Sequence, residues 1–93
     1  MLTLGMLKER MSRLDNWSLE DKMLVKEIMF KDFKEAIEFV NKVADISNKM
    51  NHFPSIMVDF NVVRLRLITH EVNELTEKDF DVAEEIDKIE IYA

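Results

Sequence analysis

The feature of the sequence that most constrains the fold is a strict alternation of apolar and charged residues within 62–69. The alternation runs in the order Val63, Arg64, Leu65, Arg66, Leu67. Because successive side chains of a strand point to opposite faces, this pattern predicts a strand with one face in a core and one polar face. A strand of that kind is typical of an antiparallel sheet that is covered on one side only.

The length and composition of the chain predict one domain, residues 1–93. Ninety-three residues with 47% hydrophobic and 34% charged side chains are enough for one globular core and not for two. Thirteen basic and nineteen acidic residues give a net charge of −6, which argues against a nucleic-acid binder. Cysteine is absent, and no apolar run approaches the ~20 residues that span a bilayer. We therefore expect a cytoplasmic protein that binds neither nucleic acid nor membranes.

Residues 32–50 give the clearest helical signal in the chain. Apolar residues recur at intervals of three and four, and charged or amide residues occupy the positions between them. Asp32, with Glu35 three residues later, is the arrangement of a capping box at a helix start. Pro54 cannot continue a helix and biases Phe53 away from the helical region, so the helix must end before them.

The remaining segments alternate between helical and strand periods. The pattern predicts helices at 3–14 and 76–91 and strands at 17–19, 23–30, 56–60 and 62–69. Lys26 interrupts the strand at 23–30, and Lys8, Glu9 and Arg10 lie between the apolar positions of the first helix. Asn61 suits the turn between the last two strands, because Asn tolerates positive φ.

The order of these segments predicts an α+β fold in two layers. It is a four-stranded antiparallel sheet with helices packed on one face, in the order β-β-α-β-β-α after an N-terminal helix. The uncovered face would carry Arg64, Arg66, Ile68 and His70. That face is either solvated or paired with another subunit.

The chain has two histidines, and the predicted hairpin brings them together. His52 precedes the strand at 56–60, and His70 ends the strand at 62–69, so both should lie at one end of the hairpin. Imidazole is the side chain that ordinarily changes charge near neutral pH, which makes the pair a candidate acid/base site. Taken singly, each could instead be a surface or hydrogen-bonded structural residue. A metal site with Glu71 or Asp59 would have no recognised ligand spacing, so we predict none.

Several of these residues, taken in order, resemble the pterin-4a-carbinolamine dehydratase family. The resemblance covers roughly residues 17–90 and rests on Phe30 to Phe33, Ala36, Phe39, Val43-Ala44, His52-Phe53-Pro54, Phe60, Thr69-His70-Glu71, Leu75-Thr76 and Asp79. The family's pattern of histidine, proline, aromatic, histidine and aspartate matches His52, Pro54, Phe60, His70 and Asp79.

The resemblance implies a hydro-lyase that dehydrates a 4a-hydroxytetrahydropterin to a quinonoid dihydropterin. It implies His52 and His70 as the catalytic acid/base pair, with no metal or organic cofactor. The substrate-binding residues that it implies, some of which could instead orient a histidine ring, are Phe53, Pro54, Phe60, Thr69, Glu71 and Asp79. It also implies a homodimer or a homotetramer.

Three positions depart from the family's pattern. Phe53 stands where the family usually has a second histidine or an asparagine, and Asn48 stands where it usually has a carboxylate. Glu74 replaces a common glycine, so the loop around it is expected to differ. Phe53 cannot titrate, although it could pack against a flat pterin. We therefore expect a weakened activity, and the alternative is a non-catalytic pterin-binding or oligomeric partner module on the same fold.

Overall fold

A computed structural model describes residues 2–91, so the predicted domain 1–93 extends past the described residues at both ends. The elements are α1 (Leu4–Ser12), β1 (Ser18–Glu20), β2 (Met23–Met29), α2 (Phe33–Met50), β3 (Ser55–Asp59), β4 (Val62–Leu67) and α3 (Glu77–Asp87). Their order confirms the predicted α+β fold. The main differences in bounds are that α3 ends at Asp87 and β4 at Leu67, earlier than the sequence indicated.

The four strands form one antiparallel sheet in the order β1-β2-β4-β3. In the centre of the sheet, Leu65 of β4 pairs with Lys26 of β2 and Ile56 of β3. The alternation in β4 works as predicted, because Val63, Leu65 and Leu67 are fully buried. Arg64, on the other face, bonds the carboxylates of Glu20 at 2.9 Å and Glu27 at 3.2 Å. These bonds give Arg64 partners within its own chain.

The core lies between the sheet and the helices α2 and α3. Both helices direct buried side chains inward, and these meet the apolar face of β2 and β4. The fully or almost fully buried members are Leu24, Ala36, Phe39, Val43, Val63, Leu65, Leu67, Phe80, Val82, Ala83 and Ile86. This layer fixes where the two ends of α2 and the start of α3 lie relative to the sheet.

Both ends of α2 are set by identifiable contacts. The Asp32 carboxylate accepts the backbone N–H of Glu35 at 2.9 Å, as the capping box predicts. The Glu35 carboxylate reaches back to the N–H of Lys31, one residue earlier than that motif requires. At the other end Asn51 takes the left-handed conformation, with φ 52°, and the backbone N–H of His52 then bonds Ser47. This left-handed ending directs the chain, and with it His52, out of the helix.

The turn between β3 and β4 differs from the prediction. The left-handed residue is Phe60, with φ 51°, and the expectation of a positive φ at Asn61 is wrong. Asn61 is held instead by Phe30: its side-chain amide donates to the Phe30 carbonyl at 2.9 Å, and its own carbonyl accepts the Phe30 N–H at 2.7 Å. This double contact fixes the position of Asn61, and the positive φ of the turn is adopted by Phe60 instead.

Lys26, which interrupts the apolar pattern of β2, is buried and has a charged partner. Its ammonium group donates to Asp87 at 2.8 Å and to the backbone carbonyl of Asp15 at 2.7 Å. The Trp17 indole N–H donates to the same Asp87 oxygen at 2.8 Å. A buried charge is tolerated when it is paired and hydrogen-bonded in this way.

Arg10 is also buried, although the sequence places it among the polar residues of α1. Its guanidinium bonds Glu84 at 2.7 Å and Asp81 at 2.8 Å, and it lies 5.4 Å from the centre of the Phe80 ring. Burial alone would lower the pKa of Arg10, but its hydrogen bonds to the carboxylates of Asp81 and Glu84 outweigh burial and raise that pKa. These contacts attach α1 to α3.

Candidate active site

His52 lies just beyond α2 and is held by a buried carboxylate. Its imidazole Nε2 is 2.6 Å from an oxygen of Asp79, which lies in the first turn of α3. His52 is 8% exposed and Asp79 is completely buried. This hydrogen bond therefore joins the segment that follows α2 to the first turn of α3.

The second oxygen of Asp79 has two further donors. The Thr69 hydroxyl donates to it at 2.8 Å, and the backbone N–H of Thr76 at 2.9 Å. The Thr76 bond also caps the start of α3. With three donors around it, the buried carboxylate is fully hydrogen-bonded, as a buried polar group must be to avoid a large desolvation cost.

These contacts determine which ring nitrogen of His52 can contact a ligand. A carboxylate only accepts hydrogen bonds, so Nε2 carries a proton in this arrangement. Within residues 2–91 every buried side-chain nitrogen or oxygen has a partner, and the structure shows none for Nδ1 of His52. Nδ1 must therefore be reached by solvent, and it is the ring nitrogen that a ligand can meet.

His70 lies in a turn, three residues beyond the end of β4, and not at a strand end as predicted. The backbone of Thr69 bridges to Glu74 at 3.2 Å, which closes the loop between them. The left-handed residue of this loop is Asn73, with φ 53°. Asn adopts that conformation readily, and so Glu74 is accommodated where the resemblance led us to expect a glycine.

The two histidines line the same open cleft. Its volume is about 300 Å³, and its walls are Asn51, His52, Phe53, Ile68, His70 and Glu71. His52 is nearly buried, whereas His70 and Phe53 are exposed. The structure thus brings together four residues of the predicted site: His52, Phe53, His70 and Glu71. Two imidazoles beside one cleft can give a proton to, and take a proton from, the same small molecule.

The other predicted site residues lie elsewhere. Thr69 and Asp79 are 4% and 0% exposed, so they stand behind His52 and do not line the cleft. Pro54 is half-buried between His52 and β3, outside the cleft walls. Phe60 lies at the other end of the hairpin, five strand residues or roughly 17 Å from Ser55. In one chain, these four residues lie outside the walls of this cleft, and their contact with a substrate stays a prediction.

One residue of the site was missed by the sequence reasoning. Thr76 supplies its backbone N–H to Asp79 and its hydroxyl to Thr69, with the two hydroxyl oxygens 2.7 Å apart. The signal was present, since Thr76 followed by Asp79 has the spacing of a helix cap. Its connection to His52 could not be read from that spacing, because it depends on how α3 packs against the end of α2.

Within residues 2–91, no group of three or more histidine, aspartate or glutamate side chains is arranged to hold a metal ion. None of the helices in that range is long and apolar enough to cross a membrane.

Comparisons with known proteins agree on one family. The family model described as pterin 4 alpha carbinolamine dehydratase matches residues 1–89. A protein of Sulfolobus acidocaldarius with the provisional name pterin-4-alpha-carbinolamine dehydratase is 42% identical over 84 residues, covering 90% of this chain and 92% of that one. A protein of Acidobacterium capsulatum with the same provisional name is 41% identical over 88 residues, covering 95% and 96%.

Two solved structures are similar to this chain. One is described as a transcriptional coactivator/pterin dehydratase from Brucella melitensis, with a TM-score of 0.85 and 31% identity over 91% of this chain and 93% of that one. The other is a pterin dehydratase-like protein described as a RuBisCO assembly factor in the alpha-carboxysome. Its TM-score is 0.67 and its identity 20%, over 81% and 89% of the two chains, which supports a shared fold.

Proposed function

The chain belongs to the pterin-4a-carbinolamine dehydratase family, and from that premise we propose that it removes water from a 4a-hydroxytetrahydropterin. In this reaction the bond between C4a and its hydroxyl oxygen breaks, and a double bond forms between C4a and N5. The products are water and a quinonoid dihydropterin. The leaving hydroxyl must gain a proton and N5 must lose one, so the reaction needs an acid and a base beside one flat ring.

His52 and His70 are the proposed acid/base pair. The observation that carries this proposal is that both rings line the same cleft, with Asp79 holding His52 in place. An unperturbed imidazole has a pKa of about 6.5, so near neutral pH it can act in either role. A positioned proton donor or acceptor is typically worth about 10²–10⁴ in rate. The reaction itself requires no metal or organic cofactor.

Phe53 and Glu71 are proposed to contact the substrate. Both line the cleft with the histidines, and the Phe53 side chain is 54% exposed. A flat heterocycle can stack on an aromatic ring, and the Glu71 carboxylate can accept hydrogen bonds from pterin N–H groups. Asp79 is proposed to orient His52, since it has no exposed surface with which to touch a ligand.

The first test measures dehydration of a 4a-hydroxytetrahydropterin against the uncatalysed rate. We expect the protein to accelerate the reaction, and His52→Ala and His70→Ala each to lower kcat by about 10²-fold or more. Lys49→Ala is the matched control, because Lys49 is exposed on α2 and lies outside the cleft walls. Equal rates with and without the protein would reject the enzymatic proposal.

An oligomeric state is part of this proposal. β1 and β3 are the edges of the sheet, and β3 and its turn expose Met57 and Phe60, at 52% and 65%. An uncovered edge with exposed apolar side chains is stabilised by pairing with another chain. We propose that the protein forms a homodimer or a homotetramer.

A second candidate function is a non-catalytic pterin-binding or partner module. The observation that favours it is Phe53, which gives the cleft an aromatic ring at a position where the resemblance implies a second histidine or an asparagine. The protein described as a RuBisCO assembly factor has a similar fold. Measurable pterin affinity without acceleration of the dehydration would support this candidate, and turnover would reject it.

A further inference from the structure

We infer that Thr69 and Thr76 are positioning residues, whose two hydroxyls form a directed hydrogen-bond chain that holds Asp79 and, through it, the His52 ring. The catalytic consequence of this hydrogen-bond chain rests on the proposed function, whereas the hydrogen bonds themselves are a property of the free protein. The inference adds Thr76 to the site and gives Thr69 a role different from the substrate contact implied by resemblance.

The direction of the chain follows from the number of protons available. The Oδ2 atom of Asp79 can only accept, so the single hydroxyl proton of Thr69 points to it across 2.8 Å. The Thr69 oxygen is 2.7 Å from the Thr76 oxygen and has no proton left to donate. The Thr76 hydroxyl must therefore donate to Thr69, and the order of donation is Thr76, Thr69, Asp79.

The two threonines act on the cleft only through Asp79. Thr69 and Thr76 line a second cleft of about 430 Å³, which also includes Leu2, Met6, Glu71, Val72, Glu77 and Lys78. Among the described residues, Glu71 alone lines both clefts. Neither hydroxyl is therefore placed to touch a molecule beside His52.

Three donors fix both oxygens of Asp79, and each donor limits how the carboxylate can turn. Thr69 and the Thr76 N–H hold Oδ2, which leaves Oδ1 aimed at His52 Nε2 across 2.6 Å. If the Thr69 hydroxyl is lost, Oδ2 keeps only the backbone donor and the carboxylate can rotate away from the ring. His52 would then lose the bond that keeps its proton on Nε2 and fixes the orientation of its ring beside the cleft.

The test compares Thr69→Val with Thr69→Ser. Valine has nearly the shape of threonine and keeps the backbone bridge from Thr69 to Glu74, but it has no hydroxyl. The observable is the Nε2 proton of His52, which a 2.6 Å bond to a carboxylate should shift far downfield in the proton NMR spectrum. We expect Thr69→Val to speed its exchange with water by about 10-fold or more, and Thr69→Ser to restore the slow exchange.

The same variants are compared in the dehydration assay. Thr69→Val should lower kcat by about 10-fold with little change in KM, because the substrate contacts are intact and only the orientation of His52 is affected. Thr69→Ser should recover most of the lost kcat. A purely structural role would not predict this rescue together with the NMR change.

A second pair of variants guards against misfolding of Thr69→Val. Thr76 is half-buried, and its hydroxyl is the first donor of the hydrogen-bond chain. Thr76→Ala removes this hydroxyl and should speed the exchange of the His52 proton, by less than Thr69→Val does. Thr76→Ser retains the hydroxyl and should restore the slow exchange. Slow exchange of the His52 proton in both Thr69→Val and Thr76→Ala would overturn the inference. If the parent protein lacks dehydratase activity but Thr69→Val speeds the exchange, the proposed function fails and the positioning role stands.

Discussion

Phe53 is the residue at which the chemistry of the cleft can be changed most directly. It is exposed, it lines the cleft with both histidines, and it forms no described hydrogen bond that a substitution would break. The two positions next to it in the chain, His52 and Pro54, are more buried and help to fix the backbone. A side chain at position 53 can therefore change the acid/base chemistry without disturbing the Asp79 network.

We predict that Phe53→His raises kcat for dehydration by about 10-fold, because it adds a third titratable ring to the cleft. The gain should be smaller than the effect of a principal acid or base, since two histidines already line the cleft. Phe53→Ala is the control for loss of the aromatic side chain, and it should not raise kcat. A Phe53→His protein no faster than the parent would show that the departure at this position does not limit the activity.

At the scale of helices and strands, the contacts of Arg10 stabilise the packing of α1 on α3. The guanidinium is buried against Phe80, while Glu77, Asp81 and Glu84 surround it at distances of 2.7 to 3.4 Å. Without Arg10, the three carboxylates on α3 would lose the cation between them, and Glu84 would keep only the longer contact with Arg13, at 3.6 Å. The apolar stem of the side chain would also no longer cover Phe80.

We predict that Arg10→Ala lowers the free energy of unfolding by about 1–2 kcal/mol, through lost packing and unbalanced carboxylates. Arg13→Ala is the matched control, because Arg13 pairs with Glu9 and Glu84 but is half exposed. It should cost less than about 0.5 kcal/mol. Urea denaturation followed by circular dichroism measures both, and equal losses would contradict the role given to burial.

The helices and strands could be predicted because their signals are local. The period of α2, its Asp32 cap and the alternation in β4 depend only on neighbours in the chain, and all three appear in the structure. The burial of Lys26 and Arg10 could not be predicted, since their partners Asp87 and Glu84 lie more than sixty residues away.

The site shows the same division between local and distant signals. The convergence of His52 and His70 followed from a hairpin, which is a local structure. The position of Phe60 away from the cleft follows from the length of β3, whereas the roles of Asp79 and Thr69 depend on packing between α3 and the end of α2. The spacing in the sequence identified all of these residues as candidates. It could not show which of them line the cleft and which support His52 from behind.

For the whole molecule, the uncovered edge of β3 is the feature that bears on assembly. The edge presents Met57 and, at its turn, the left-handed Phe60. A bulky residue in that conformation costs of the order of 1 kcal/mol, which contacts with a second chain would offset.

We predict that light scattering at micromolar concentration gives two or four times the chain mass of 11.1 kDa. Met57→Lys should shift the mass toward that of one chain, because a charge on an edge strand opposes pairing. Lys49→Glu, at an exposed position on α2, is the control and should leave the mass unchanged. A single-chain mass for the parent protein would reject the oligomeric proposal.

Asp79 serves two purposes at once, since it anchors the first turn of α3 and also supports His52. Selection for a correctly folded helix therefore also preserves the support of His52, one of the two residues of the proposed acid/base pair. Phe53 and Glu71 line the same cleft as His52, and within residues 2–91 the structure records no side-chain hydrogen bond or ion pair for either of them. Divergence among proteins of this kind should accumulate at Phe53 and Glu71, so that substrate preference can drift while the proposed acid/base pair and its supporting residues remain constant.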